Sequence, residues 1–297
     1  MKKGFSGKVS ISIQKVVFEQ ITILAPGLLG ASLGMAAREY ALGRRVHVWA
    51  RRAESRQACL DADWCNEAFS SPVDAVKESD LVIVCTPVDR IAELVKEIGP
   101  ALSSGCLVTD VGSTKSRICR ISARSVPEGV VFIGSHPMAG SEKSGMEHAR
   151  AGIFRQRACL VTPVEDSPED CIDRVVRFWR ALDMEVATMS PEQHDEIVAH
   201  ISHFPHLLAS LLCIQLSRKP DPWQAFSGNG LRDTTRIAAG SPEIWRSIFE
   251  ENKEELLRAI EGFEQELSTM RSHLHNDEWS QVRHLLARGR KYREGLL

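Results

Sequence analysis

The 297-residue sequence has no uninterrupted apolar run of the ~20 residues needed to cross a bilayer, so no membrane span is read from it. Its start, Met1-Lys-Lys, is basic, but Gly4-Phe-Ser-Gly-Lys-Val-Ser10 is too polar for the core of a secretory signal. It lacks a charge bias: 37 basic against 39 acidic residues leave a net charge of −2, and nothing in that balance points to nucleic acid as a partner. The eight cysteines include no Cys-x-x-Cys pair and no regular spacing. Cys85 and Cys106 lie in apolar runs and read as small core residues, so a reducing cytoplasm is the expected location. Internal repeats and low-complexity linkers are also missing. What remains is a chain of ordinary globular composition, 43% hydrophobic and 26% charged, long enough for one large domain or two moderate ones.

From residue 21 to about 188, short β-rich runs alternate with helical patterns, as in a parallel sheet with crossover helices. Strands are expected at 21–25, 44–50, 81–85, 106–109, 130–134, 158–163 and 184–188. Leu81-Val-Ile-Val-Cys85 and Cys106-Leu-Val-Thr109 are continuously apolar, as strands buried on both faces should be. Ser167-Pro-Glu-Asp170 reads as a helix start with a Ser cap and Pro at the first position. Beyond about residue 190 only helical periodicity remains, at 191–217, 223–239, 242–271 and 276–294. The sequence therefore predicts a Rossmann-type, mostly parallel α/β domain over 1–188 and an all-helical domain over 189–297.

The first strand runs into Ala25-Pro-Gly-Leu-Leu-Gly30, a degenerate form of the Gly-x-Gly-x-x-Gly dinucleotide fingerprint. Gly27 and Gly30 fill the second and third glycine places, and Ala25 replaces the first. The amides around Leu28 and Leu29 would face the phosphates at a helix start; the bland alternative is a tight strand–helix turn. Thr86 and Pro87, after the strand 81–85, join the expected cofactor-binding residues. The second strand ends in Ala50-Arg51-Arg52, where an acid would hold the ribose of NAD. Arginines there attract a 2′-phosphate, which points to NADP rather than NAD. Against this, both arginines could be a solvated loop face, with Glu54 reaching the ribose.

Thr109-Asp-Val-Gly-Ser-Thr-Lys115 closes one strand and opens a helix, and Ser113 or Asp110 could simply cap that helix. Alternatively, Ser113 lies near the nicotinamide and hydrogen-bonds substrate or His136. His136 follows the apolar run Val130-Val-Phe-Ile133, within Gly134-Ser-His-Pro-Met-Ala-Gly-Ser-Glu-Lys-Ser-Gly145. A strand ending there would hold its imidazole at the carboxyl edge of the sheet, where open α/β folds bind ligands. With an ordinary pKa near neutrality, His136 is the candidate general base. Further on, His194, His200 and Ser202-His-Phe-Pro-His206 crowd one long helix that Pro205 should kink. A zinc reading lacks an obvious third ligand, so these read as polar residues facing a cleft. Arg236, in Gly228-Asn-Gly-Leu-Arg-Asp-Thr-Thr-Arg236, could clamp a carboxylate or form a surface ion pair.

In this order, the segments 109–115, 134–145, 202–206 and 231–237 resemble the prephenate dehydrogenase family, which includes arogenate and cyclohexadienyl dehydrogenases. The resemblance covers roughly residues 20–295. It implies oxidation of a cyclohexadienyl hydroxyl, with loss of the ring carboxylate, in tyrosine biosynthesis. His136 would act on the hydroxyl, Ser113 would align it, and Arg236 would hold a carboxylate. His203, His206, Ser141, Asp233 and Trp245 fall at positions that line the family's pocket. Ala25 and Ala50-Arg51 depart from the family pattern at the cofactor, and Asn229 departs from it near the substrate side chain. No counterpart of the separate regulatory domain that some members carry is expected, so any inhibition by tyrosine is expected at the active site. Apolar helices such as the one carrying Ile244-Trp-Arg-Ser-Ile-Phe249 point to a homodimer, as in the family. Two other readings stay open: a β-hydroxyacid dehydrogenase using a helical lysine, and a protein that senses NADP without chemistry.

Overall fold

The computed structural model describes residues 18–140 and 145–296. The chain forms two compact units: one runs to Asp195 and takes back Ala239–Glu251, and the other holds Glu196–Ala238 and Asn252 onward. The single division expected near residue 189 misses the return of 239–251, where buried Ile248 packs into the core of the first unit.

In the first unit, strands and helices alternate: β1 (Phe18–Leu24), α1 (Leu28–Glu39), β2 (Gly43–Trp49), α2 (Ala53–Asp61), β3 (Glu67–Phe69), α3 (Pro72–Ala75), β4 (Leu81–Val84), α4 (Val88–Ile98), β5 (Leu107–Asp110), α5 (Ser116–Ser125) and β6 (Val131–Phe132). The six strands make one sheet in the order β3-β2-β1-β4-β5-β6, with every adjacent pair parallel. Alternate residues feed opposite faces. Ile21, Ile23, Leu81 and Ile83 enter one core, and Leu24, Val82, Val84 and Val108 enter the other. Burial on both faces is why these strands read as continuous apolar runs. The order reverses between β1 and β4, and such a switch point opens a crevice at the carboxyl ends of the strands. Burial also pushes the Cys106 and Cys119 thiols up to about 12, in keeping with core positions.

Three expectations need correction. The short edge strand β3 carries too little apolar pattern to have been foreseen. The run 130–134 is not one strand: it breaks after β6, and β7 (Gly134–Pro137) pairs elsewhere, antiparallel to β8 (Ala158–Thr162). With β9 (Glu185–Thr188), parallel to β8, these form a separate three-stranded sheet rather than more of the parallel one. Gly134 makes the transfer possible, since a Cβ there would fall 2.4 Å from Cys119 Sγ and 2.5 Å from Thr162 Oγ1. Finally, α6 (Glu169–Ala181) starts after Pro168, which occupies the cap position in extended conformation, so Ser167 lies one residue too early to cap it.

The remaining helices are α7 (Pro191–Val198), α8 (Phe204–Leu216), α9 (Asn229–Thr235), α10 (Pro242–Glu251), α11 (Lys253–His275) and α12 (Trp279–Glu294). A π-helical turn, Ala199–His203, joins α7 to α8. Pro205 has no N–H for the Ile201 carbonyl, and the turn just before it is the widened, π-helical one. The resulting helix, Pro191–Leu216, is by length and composition apolar enough to cross a membrane, which the sequence reading had not recognised. The run 223–239 is broken into 3₁₀ turns at Asp221–Phe226 and Arg236–Ala239 around α9. The run 242–271 is two helices, α10 and α11, interrupted at Asn252. Within the second unit, Ile201, Leu211, Leu267 and Leu286 are each at least half exposed.

Candidate active site

The first part of the site is the cleft of about 870 Å³ at the switch point. The ends of β1, β2 and β4 are tied together there by Ala25 N–H to Trp49 O and Cys85 N–H to Leu24 O. Ala25 sits at φ 73°, the left-handed conformation that the first fingerprint glycine normally supplies. An alanine holds it at a cost of roughly 1–2 kcal/mol, so the turn survives the substitution that made the motif degenerate. Nothing lies within 4 Å of the Cβ position at Gly27, which leaves the backbone open to close approach. At Gly30 a Cβ would meet the Ala25 carbonyl oxygen at 2.4 Å. Helix α1 begins after Gly27 with no side-chain cap, so its first amides, those of Leu28 and Leu29, are donors for an anion. The Leu28 and Leu29 side chains themselves turn back onto the core.

Ala25, Gly27, Arg51, Arg52, Thr86 and Pro87 all line this cleft. Thr86 Oγ1 is buried with no hydrogen-bond partner among the described residues, as suits a group awaiting a ligand. Trp49, Ser55 and Arg90 line it too and were not foreseen; Glu54 is not among the lining residues. Arg56 Nη1 donates to the carbonyls of Ala50 (2.8 Å) and Arg51 (2.9 Å), which fixes the loop that carries both arginines. The cleft fits a dinucleotide: an open Gly27 backbone, a bare helix start and cations beside the second strand.

The second part lies where β5 and β7 meet. Asp110 and Lys115 form an ion pair (2.5 Å) whose side chains are both fully buried. Asp110 Oδ2 also accepts from Gly112 N–H, and Oδ1 accepts from Ser135 N–H at 3.1 Å. The Ser135 hydroxyl is hydrogen-bonded to Thr109 Oγ1 and accepts from Trp179 Nε1. Residue 135 is thus held by both backbone and side chain, and His136 follows it. His136 is mostly buried and lies inside β7, not in a loop beyond a strand of the parallel sheet.

His136 Nδ1 lies 2.9 Å from His194 Nε2, and His194 Nδ1 lies 2.8 Å from Asp195 Oδ1. Asp195 also accepts from the backbone N–H groups of Lys115 and Ser116 at the start of α5. This carboxylate is what occupies the helix start; neither Ser113 nor Asp110 caps it. Burial holds the His194 imidazole below its ordinary pKa, outweighing the raising effect of Asp195, so the ring is neutral at pH 7. Burial pulls the Asp195 carboxyl upward, but hydrogen bonds from His194 and Ser116 win and hold it below the usual range.

Of the other candidates, Ser113 and Trp245 belong to the first unit, and His203, His206, Asp233 and Arg236 to the second. Ser113 is half-buried in the loop between β5 and α5. Trp245, on α10, packs against the core of the first unit, 5.7 Å from the Phe249 ring. Ser141 lies outside the described residues. In the second unit, His203 and His206 are buried, and His203 Nδ1 is 3.1 Å from Asn252 Nδ2 at the break between α10 and α11. Burial lowers the His206 pKa. Asp233 and Arg236 are exposed, on and just after α9. Sequence reasoning missed the parts played by Lys115, His194 and Asp195. The adjacent His194-Asp195 pair was a visible signal, but nothing in the sequence set it against β7.

Residues 33–188 match the family described as "Prephenate dehydrogenase, nucleotide-binding domain", and residues 190–288 match "Prephenate dehydrogenase, dimerization domain". The chain belongs to the prephenate dehydrogenase family. It is 29% identical over 282 residues to the prephenate dehydrogenase of Bacillus subtilis, spanning 94% of this chain and 76% of that relative. Identity to the cyclohexadienyl dehydrogenase of Zymomonas mobilis is 29% over 260 residues, 86% of this chain and 88% of the relative. A crystal structure of prephenate dehydrogenase from A. aeolicus, in complex with hydroxyphenyl propionate and NAD+, superposes with a TM-score of 0.88 at 28% identity, covering 94% of this chain and 98% of that one. Membership makes the protein an oxidoreductase with a nicotinamide cofactor.

The ion pair beneath this family member's histidine gives a direct test. Lys115→Met leaves the Asp110 carboxylate buried without its cation and should lower the unfolding free energy by about 3–5 kcal/mol. Equilibrium urea unfolding measures this, and a loss below about 1 kcal/mol contradicts it.

Proposed function

We propose that the protein oxidatively decarboxylates prephenate to 4-hydroxyphenylpyruvate, with His136 taking the proton of the ring hydroxyl. The observation that carries this reading is the chain Asp195–His194–His136, which ends on an imidazole beside the carboxyl end of β5. Bound in the switch-point cleft, the nicotinamide supplies the two-electron acceptor. The ring carboxylate leaves as carbon dioxide as the ring becomes aromatic, so the residues need mainly orient and polarise. In this reading Arg236 holds a substrate carboxylate and Ser113 aligns His136, and His203, His206, Ser141, Asp233 and Trp245 are proposed as further substrate contacts. The A. aeolicus relative, in complex with hydroxyphenyl propionate and NAD+, supports a phenolic product and a dinucleotide.

The finer cofactor reading is NADP. Arg51 and Arg52 follow β2 and line the cleft, where a 2′-phosphate would lie; the acids that line it, Asp89, Glu93, Glu97 and Glu147, come from α4 and from beyond β7 rather than from the loop after β2. The second unit pairs with a second copy through its apolar helices, in line with its match to a dimerization domain. A soluble cytoplasmic enzyme fits the relatives, which are a prephenate and a cyclohexadienyl dehydrogenase.

Reduced-nicotinamide absorbance, read with prephenate or arogenate and with NAD or NADP, tests the activity; turnover of prephenate with NADP is the expected result. Silence in all four combinations, from folded protein that binds NADP, would overturn the reading in favour of a sensor. His136→Asn should lower kcat by roughly two to four orders of magnitude while dinucleotide affinity is kept; unchanged turnover removes His136 from the chemistry. The double variant Arg51→Ala/Arg52→Ala should raise the KM for NADP about 10- to 100-fold, with that for NAD nearly unchanged. An equal effect on both cofactors contradicts the assignment of the 2′-phosphate.

A further inference from the structure

Beyond His136 itself, the buried groups behind it determine which of its nitrogens carries the proton. A carboxylate can only accept hydrogen bonds, so Asp195 Oδ1 receives a proton from His194 Nδ1. The His194 ring is neutral, which makes its Nε2 an acceptor, and His136 Nδ1, 2.9 Å away, is its donor among the described residues. His136 is then the tautomer with hydrogen on Nδ1 and a lone pair on Nε2. That lone pair is what a base for the substrate hydroxyl must present.

We propose that His194 and Asp195 are positioning residues that fix His136 as the tautomer whose Nε2 accepts the substrate proton. The proposal rests on the reading of His136 as the proton acceptor. Neither residue touches the reacting atoms; both act through His136. The surroundings keep the chain in one direction. Asp195 takes two backbone N–H groups from the start of α5 besides the His194 proton, which keeps it an anion. Lys115 is paired with Asp110. On the β8 side, Cys159 lies opposite Pro137, and burial keeps its thiol protonated. A misplaced tautomer with intact geometry is known in principle to cost orders of magnitude, as when a triad carboxylate becomes an amide.

The test compares two substitutions at His194, whose side chain is fully buried. His194→Leu deletes the acceptor for His136 Nδ1, while Asp195 keeps its two backbone donors. His194→Gln restores a carbonyl oxygen at the reach of Nε2. For His194→Leu, kcat should fall about 100-fold or more, with substrate KM and dinucleotide affinity within about threefold of the parent. His194→Gln should recover at least about tenfold of that loss, which a purely structural role would not explain. A His194→Leu variant within about threefold of the parent in kcat, or a Gln variant no better than Leu, overturns the proposal.

Should His194→Leu fail to fold, the parent protein decides the matter by NMR of ¹⁵N-labelled histidine. The His136 signals are assigned by their loss in His136→Asn. Hydrogen on Nδ1 and a bare Nε2 support the proposal, and hydrogen on Nε2 overturns it. This readout needs no turnover. An enzyme inactive on every cyclohexadienyl substrate would sink the functional reading while the tautomer remained open to measurement.

Discussion

The fully buried pair of Asp110 and Lys115 is the constraint on which the rest of the site depends. Taking both charges out of water is expensive, and a pair of this kind adds little net stability over a well-packed apolar alternative. What it provides here is position. Asp110 is the last residue of β5, and its two oxygens reach Lys115, Gly112 and Ser135. The last of these bonds joins the end of the parallel sheet to the start of the second sheet, where Gly134 lets the backbone pass. His136 inherits its place from that junction.

A second carboxylate does the corresponding work from the other side. Asp195 takes the amides at the start of α5, which would otherwise be open donors, and in doing so sets His194 against His136. The same loop, 110–116, therefore meets both buried acids. One side of the imidazole is fixed by the sheet junction, and its proton is fixed by α7. The dinucleotide cleft uses a simpler device, a left-handed turn at Ala25 and an uncapped helix start at the carboxyl ends of β1 and β4.

Much of this was legible in the sequence. Continuous apolar runs marked β4 and β5, the strand–turn–helix spacing marked the cofactor cleft, and the His-Pro motif marked His136. Local pattern served wherever a residue's role depends on its neighbours in the chain. It failed where partners come from afar. At the passage from β6 to β7 a Cβ on Gly134 would collide with Cys119 and Thr162, a constraint that no local period encodes. Lys115 read as the end of a motif and His194 as one of several histidines. His194 pairs with a residue 58 positions away, and Asp110, the partner of Lys115, also takes the Ser135 amide from 25 positions away. Likewise, the contact of Asn252 with His203 at the break between α10 and α11 joins residues 49 positions apart.

The most direct test of the central claim, that His136 Nε2 receives the proton of the ring hydroxyl, is a crystal structure with NADP and a hydroxyphenyl product analogue. The account predicts the phenolic oxygen about 2.6–3.2 Å from His136 Nε2, with Nδ1 still turned to His194. A phenolic oxygen held by other groups, or a His136 ring turned to present Nδ1, would contradict it.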